Sequence, residues 1–147
     1  MIVATADLAR HRGEVTMADG GFDPIHHGHV AYLEAAAALG LPVLCNVSGD
    51  HWVARKHAPL LDQDERVAVI DAIRWVAYTH VSAVPTVEVL RLLEPRLYAK
   101  GSDWKGRLPE EERAICAERG IEVVYLDTVV ESSSAILERY AGRQRGR

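Results

Sequence analysis

The chain has 147 residues, 48% of them hydrophobic and 26% charged, with a formal net charge of −4 at pH 7. That length suits one domain with its own buried core, and no apolar run approaches the roughly 20 residues of a membrane span. The acidic balance speaks against a general nucleic-acid binder, which carries a basic surface, so an anionic ligand has to be met by a local cluster.

The first dozen residues, Met1 to Arg12, include Asp7, Arg10 and Arg12 and hold no apolar stretch long enough for a signal-peptide core. A cytoplasmic protein is therefore expected. Beyond them, runs rich in Val, Ile and Leu alternate with stretches of helical period, the pattern of βα units around a parallel sheet. A strand over Glu14–Ala18 is followed by a helix over Val30–Leu39, and Gly40 then offers a left-handed C-terminal cap. Next come a strand over Pro42–Val47 and a helix over Gln63–Ile73, for which Asp62 and Glu65 have the spacing of a capping box. The pattern continues with a strand over Trp75–His80, a helix over Thr86–Leu93 and a strand over Arg96–Ala99. A helix over Glu110–Arg119, with Pro109 at its first turn and Gly120 closing it, leads to a strand over Ile121–Leu126 and a last helix over Ser133–Tyr140. No linker or repeat divides the chain. The expected fold is a single α/β, Rossmann-like doubly wound domain over 1–147, with a five-stranded parallel sheet flanked by helices, a core over about 8–140 and a solvated basic tail over 141–147. Cys45 and Cys116 fall in a strand and a helix without forming a CxxC pair, which suits reduced core thiols.

The densest signal lies between the first strand and the first long helix: Gly20-Gly21-Phe22-Asp23-Pro24-Ile25-His26-His27-Gly28-His29. Glycines let the backbone approach a ligand, and the helix that follows presents free N–H groups and the positive end of its dipole to a phosphate. His26 and His29 add imidazole donors beside that helix end. Donors fixed there stabilise charge that gathers on a transferred phosphoryl group and on departing pyrophosphate, without a covalent intermediate.

Gly20, Phe22, Asp23, His26, Gly28 and His29 fill every fixed position of G-x-F-D-x-x-H-x-G-H, the signature of the cytidylyltransferase-like nucleotidyltransferases, which this chain resembles. The likeness extends to Ser48-Gly49-Asp50, Lys56, Arg66, Lys100-Gly101-Ser102-Asp103-Trp104 and Ser132-Ser133-Ser134-Ala135-Ile136, and so covers about Leu8 to Tyr140. Within the family it is strongest to heptose 1-phosphate adenylyltransferase domains and glycerol-3-phosphate cytidylyltransferases. The resemblance implies transfer of a nucleoside monophosphate from ATP or CTP to a phosphorylated small molecule, with magnesium carried on the triphosphate and a homodimeric assembly; neither a nucleic acid nor a membrane is an expected partner. It departs from the pattern at Glu131, where relatives often have a small residue before the serine turn, at Asp19, where Asn is common, and at His57, where Gly is frequent.

The roles divide accordingly. His26, His29 and Lys56 are the catalytic candidates. Gly20, Gly21, Phe22, Asp23, Gly28, Arg66, Lys100, Gly101, Asp103, Ser132, Ser133 and Ser134 are the nucleotide-binding candidates. For several, a structural role competes: Asp23 can fix its turn or help place a metal, Ser133 and Ser134 can simply cap the last helix, and Trp104 can cover the core edge or stack on a ligand. The histidines lack the spacing of a zinc site, so no protein-held metal is expected. Three rivals stand beside the transferase: a class I aminoacyl-tRNA synthetase fragment, which lacks a K-M-S-K-S-like segment here; a non-catalytic nucleotide sensor; and an NAD-binding module, which lacks G-x-G-x-x-G.

Overall fold

The computed structural model describes residues 1–128 and 132–146. Five strands, β1 (Thr16–Gly20), β2 (Val43–Ser48), β3 (Tyr78–Ser82), β4 (Leu97–Gly101) and β5 (Glu122–Leu126), form one parallel sheet in the order β3-β2-β1-β4-β5. The helices are α1 (His27–Ala37), α2 (Asp50–Val53), α3 (Gln63–Asp71), α4 (Thr86–Leu93), α5 (Glu110–Arg119) and α6 (Ser133–Arg145), with 3-10 turns at Thr5–His11 and Ser102–Trp104. The expected α/β order is present in full. Strands β1 and β3 begin two and three residues later than the apolar pattern suggests, α2 carries no periodic signal, and α6 continues to Arg145 through residues expected to be tail. No helix among the described residues is long and apolar enough to cross a membrane.

Alternation along the strands splits the core in two. Met17, Leu44 and Tyr98 face the layer holding Leu8, Val89, Leu90, Leu93 and Ile115, while their neighbours Ala18, Cys45 and Ala99 face the layer holding Leu33, Ala36, Val67 and Ile70. Both faces are therefore covered, as an all-parallel sheet requires. Cys45 and Cys116 are buried free thiols, and burial pushes both pKa values up. The helix ends follow their local chemistry: Asp62 and Glu65 close a reciprocal capping box on α3, and Gly120 ends α5 at φ 67°.

The chain reverses direction across the sheet between β1 and β4, so the loops after these two strands flank a crevice at their carboxyl ends. One side chain fixes the rim of that crevice. Arg66 of α3 is 1% exposed, and its guanidinium donates to the carbonyls of Leu61 (3.2 Å), Gly21 (2.7 Å) and Ser48 (2.6 Å) and to the Asp50 carboxylate (2.7 Å). Gly49 then passes so close to β3 that a Cβ there would sit 2.7 Å from the Ser82 carbonyl oxygen, so only glycine fits without moving backbone.

His80 of β3 is also buried, held between Asn46 Oδ1 (2.8 Å) and Thr5 Oγ1 (2.9 Å). Burial lowers its pKa from 6.5 to about 4. Between those values the unfolded chain takes up a proton that the folded chain refuses, so stability falls as pH drops. Two outcomes are expected. Arg66→Met, which leaves three carbonyls and a carboxylate without their donor, lowers unfolding stability by about 3 kcal/mol in urea denaturation. The denaturation midpoint of the wild type falls between pH 6.5 and pH 4, and His80→Gln gives a shallower pH dependence over the same window.

Candidate active site

The turn between β1 and α1 is held from inside. Phe22 lies in the left-handed region at φ 54°, with its ring buried against His29 at 5.0 Å between centroids. A Cβ on Gly20 would meet that ring at 3.1 Å, which explains the glycine. The Asp23 carboxylate is 2% exposed and accepts the backbone N–H groups of Leu60 (2.8 Å) and Leu61 (3.1 Å), pinning the approach to α3 onto the turn. Both oxygens are thus engaged by the backbone. Of the two roles open to Asp23, the geometry supports fixing the turn.

Two histidines cap α1. His26 Nδ1 accepts from the N–H of Gly28 at 3.1 Å, and His29 Nδ1 accepts from the N–H of His26 at 3.2 Å, a reciprocal box made from imidazoles. A ring nitrogen that accepts carries no proton, so in the neutral imidazoles the hydrogen sits on Nε2 of each ring. The rings stack at 3.8 Å between centroids with 28° between planes. Burial, reinforced by the neighbouring His26, lowers the His29 pKa from 6.5 to about 4. His29 is therefore a neutral N–H donor at physiological pH, set at the positive end of a helix dipole.

These histidines line a cleft of about 430 Å³. Gly20, Gly21, Phe22, Asp23 and Gly28 contribute to the same wall, and Lys56 enters from the segment after α2. Lys100, Gly101 and Asp103 bring in the end of β4 and the turn beyond it, and Ser132, Ser133 and Ser134 bring in the start of α6. Arg66 alone among the candidates is not brought to the cleft surface. Its guanidinium is spent on carbonyls beneath the wall, a placement that the usual solvent exposure of arginine conceals. The serines are partly engaged as well: Ser132 Oγ accepts from the N–H of Ala135 at 3.1 Å, and Ser133 Oγ donates to the Pro24 carbonyl at 2.9 Å. Capping and cleft lining coexist there. Glu131, the acid beside them, lies outside the described residues.

The β4 side contains residues that motif reading missed. Lys100 is buried; its ammonium pairs with Asp19 at 2.8 Å and lies 4.3 Å from the centre of the Trp104 ring. Tyr98 Oη lies 2.8 Å from Asp19 and 2.9 Å from Glu112 of α5, whose carboxyl also lines the cleft. Tyr32 donates its hydroxyl to the Ala99 carbonyl at 2.5 Å and accepts the N–H of Asp19 at 3.2 Å. Tyr32, Tyr98 and Glu112 have no local sequence signature; the parallel pairing of β1 with β4 sets Tyr98 and Lys100 beside Asp19. On the opposite side, Trp52 Nε1 is buried without a hydrogen-bond partner among the described residues.

Comparison with known proteins places this geometry. A family model described as Cytidylyltransferase-like matches residues 17–139. Among curated proteins, the chain is 33% identical over 106 residues to the bifunctional protein HldE of Trichlorobacter lovleyi, covering 69% of this chain and 21% of that protein. It is 29% identical over 138 residues to HldE of Nitratiruptor, covering 90% and 29%. The chain thus spans between a fifth and a third of the length of these relatives. Among solved structures, a lipopolysaccharide core biosynthesis protein from Thermoplasma volcanium shares the fold at a TM-score of 0.68 and 23% identity, over 79% of this chain and 98% of that one. Pantothenate synthetase from Thermus thermophilus shares it at a TM-score of 0.60 and 17% identity, over 88% and 62%. With its turn, its paired histidines and the family match over most of its length, the chain belongs to the cytidylyltransferase-like nucleotidyltransferases.

Proposed function

We propose that the cleft transfers a nucleoside monophosphate from ATP or CTP to a sugar or polyol phosphate with release of pyrophosphate, adenylyl transfer to a heptose 1-phosphate-like acceptor being the favoured pairing. The observation that carries this reading is the pair of imidazoles fixed by their Nδ1 atoms at the N-terminus of α1, with burial holding His29 neutral. His29 offers its Nε2–H to an oxygen of the transferred phosphoryl group or of the departing pyrophosphate. As a donor that needs no reorganisation, it stabilises charge where it develops.

The acceptor phosphate is already ionised near neutral pH, so its oxygen attacks the α-phosphorus directly, the α–β bridging bond breaks, and its electrons leave with pyrophosphate. No general base is required. Lys56 supplies a point charge for phosphate oxygens, and the serine hydroxyls and N–H groups opening α6 face the same space. The described residues contain no group of three or more His, Cys, Asp or Glu able to hold a metal, and Asp23 has both oxygens engaged by backbone. The imidazole and hydroxyl donors suit phosphate oxygens rather than a cation, so magnesium belongs in this proposal only as an ion delivered on the triphosphate, where it would neutralise phosphate charge. A homodimer remains part of the proposal by family likeness.

Pyrophosphate release tests the reading, with ATP, CTP, GTP and UTP crossed against heptose 1-phosphate, glycerol 3-phosphate and simple phosphonates in the presence of magnesium. One active pair is expected, and nucleotide binding with silence throughout would favour a sensor instead. His29→Ala is expected to lower kcat by about 100-fold to 1,000-fold with little change in fold; near-normal turnover in the folded variant would sink the assignment. In an NMR titration the His29 ring should titrate near 4 rather than 6.5, so that turnover does not fall through protonation of His29 as pH drops past 6.5. A midpoint near 6.5 would remove the neutral donor.

A further inference from the structure

The cleft is divided by charge. Lys56 and His57 stand on the β2 side, whereas Asp19, Asp103 and Glu112 line the β4 side together with Lys100. Lys100 offers little there to an anion. Its side chain is 9% exposed, with the ammonium paired with Asp19 and set against Trp104. Phosphates therefore belong toward the histidines and Lys56, and the β4 end is left for a part of the substrate that carries hydrogen-bond donors.

The hydrogen-bond accounting there is incomplete in one direction. Tyr98 has a single hydroxyl proton but two carboxylate oxygens within reach, at 2.8 Å and 2.9 Å. Asp19 has a second donor in Lys100, at 2.8 Å. Glu112 has no other: among the described residues Tyr98 is its only hydrogen-bond partner. When the tyrosine proton serves Asp19, Glu112 is left as a half-buried carboxyl on the cleft wall with its acceptor capacity unmet, an expensive condition unless a ligand supplies the donor. Burial raises the Glu112 pKa, as expected for a carboxyl short of donors.

We propose that Glu112 is a specificity-determining residue that accepts a hydrogen bond from a hydroxyl of the substrate, so that the β4 end of the cleft selects hydroxylated, uncharged moieties. This rests on the transferase reading above. The hydroxyl belongs either to the ribose of the nucleotide or to the polyol of the acceptor, and binding measurements can distinguish the two without turnover.

The experiment is isothermal titration of the full chain and of Glu112→Gln and Glu112→Ala. One arm compares ATP and CTP with their 2′-deoxy and 3′-deoxy forms, and the other compares glycerol 3-phosphate with propyl phosphate in the presence of a nonhydrolysable nucleotide. In one arm, Glu112→Ala is expected to weaken the hydroxylated ligand about tenfold and its deoxygenated counterpart less than about twofold, with Glu112→Gln intermediate. Equal losses for hydroxylated and deoxygenated ligands in both arms, or no losses, overturn the assignment of Glu112 while leaving the transferase reading in place. Failure of the wild type to bind any nucleotide overturns both. Thermal melts of Glu112→Gln, which retains an acceptor for Tyr98, separate loss of binding from loss of fold.

Discussion

A guanidinium buried under the cleft wall holds the site in register. Arg66 bonds carbonyls from the turn after β1, the end of β2 and the approach to α3, and pairs with Asp50 at the start of α2. These segments lie far apart in sequence, and each ends in unpaired backbone oxygens that must be met somewhere. A planar cation with five donors can meet several at once, which an ammonium cannot. Its desolvation is offset by bonds it makes simultaneously, and the return is a fixed spacing between the histidine turn and the segment leading to Lys56.

The histidine turn shows folding and chemistry using the same bonds. The Nδ1 atoms satisfy N–H groups that helices leave open at their start, and that act alone determines which ring nitrogen carries the hydrogen in the neutral imidazole. Burial then keeps the ring of His29 uncharged. A serine or aspartate would cap as well, yet neither would leave a rigid donor on the far side of the cap. The spacing of His26 and His29, three residues apart, is the spacing of a capping box read in a different residue type.

Most of the architecture was legible because both faces of a parallel sheet are buried: near-continuous apolar strands and amphipathic helices announce themselves, as do Asp62 with Glu65 and Gly120 at their helix ends. By contrast, α1 stops at Ala37 with Ala38 as its C-cap, ahead of the cap expected at Gly40. The motif, Lys56, the β4 turn and the serine turn could be assembled from resemblance, and they do share one cleft. What escaped was tertiary. Arg66 could be placed at the right position in sequence but on the wrong side of the wall, since nothing local says that three carbonyls await it. The link of Asp19 to Tyr98 and Lys100 depends on β1 pairing with β4, 79 and 81 residues away, and Glu112 joins it from α5. Short α2 has no room for a period to show, and α6 ran on past Tyr140 because Gly142 only weakens a helix.

The uncharged state of His29 also bears on how a ligand arrives. The chain carries a net charge of −4, and Lys100, one of the cleft cations, is compensated by Asp19. A neutral N–H donor projects no long-range field, so capture of a polyanion here relies on contacts made after encounter more than on attraction before it. Such a site gives up diffusional steering in exchange for discrimination at close range, and its association rate should respond to ionic strength less steeply than that of a phosphate site built wholly from arginines and lysines.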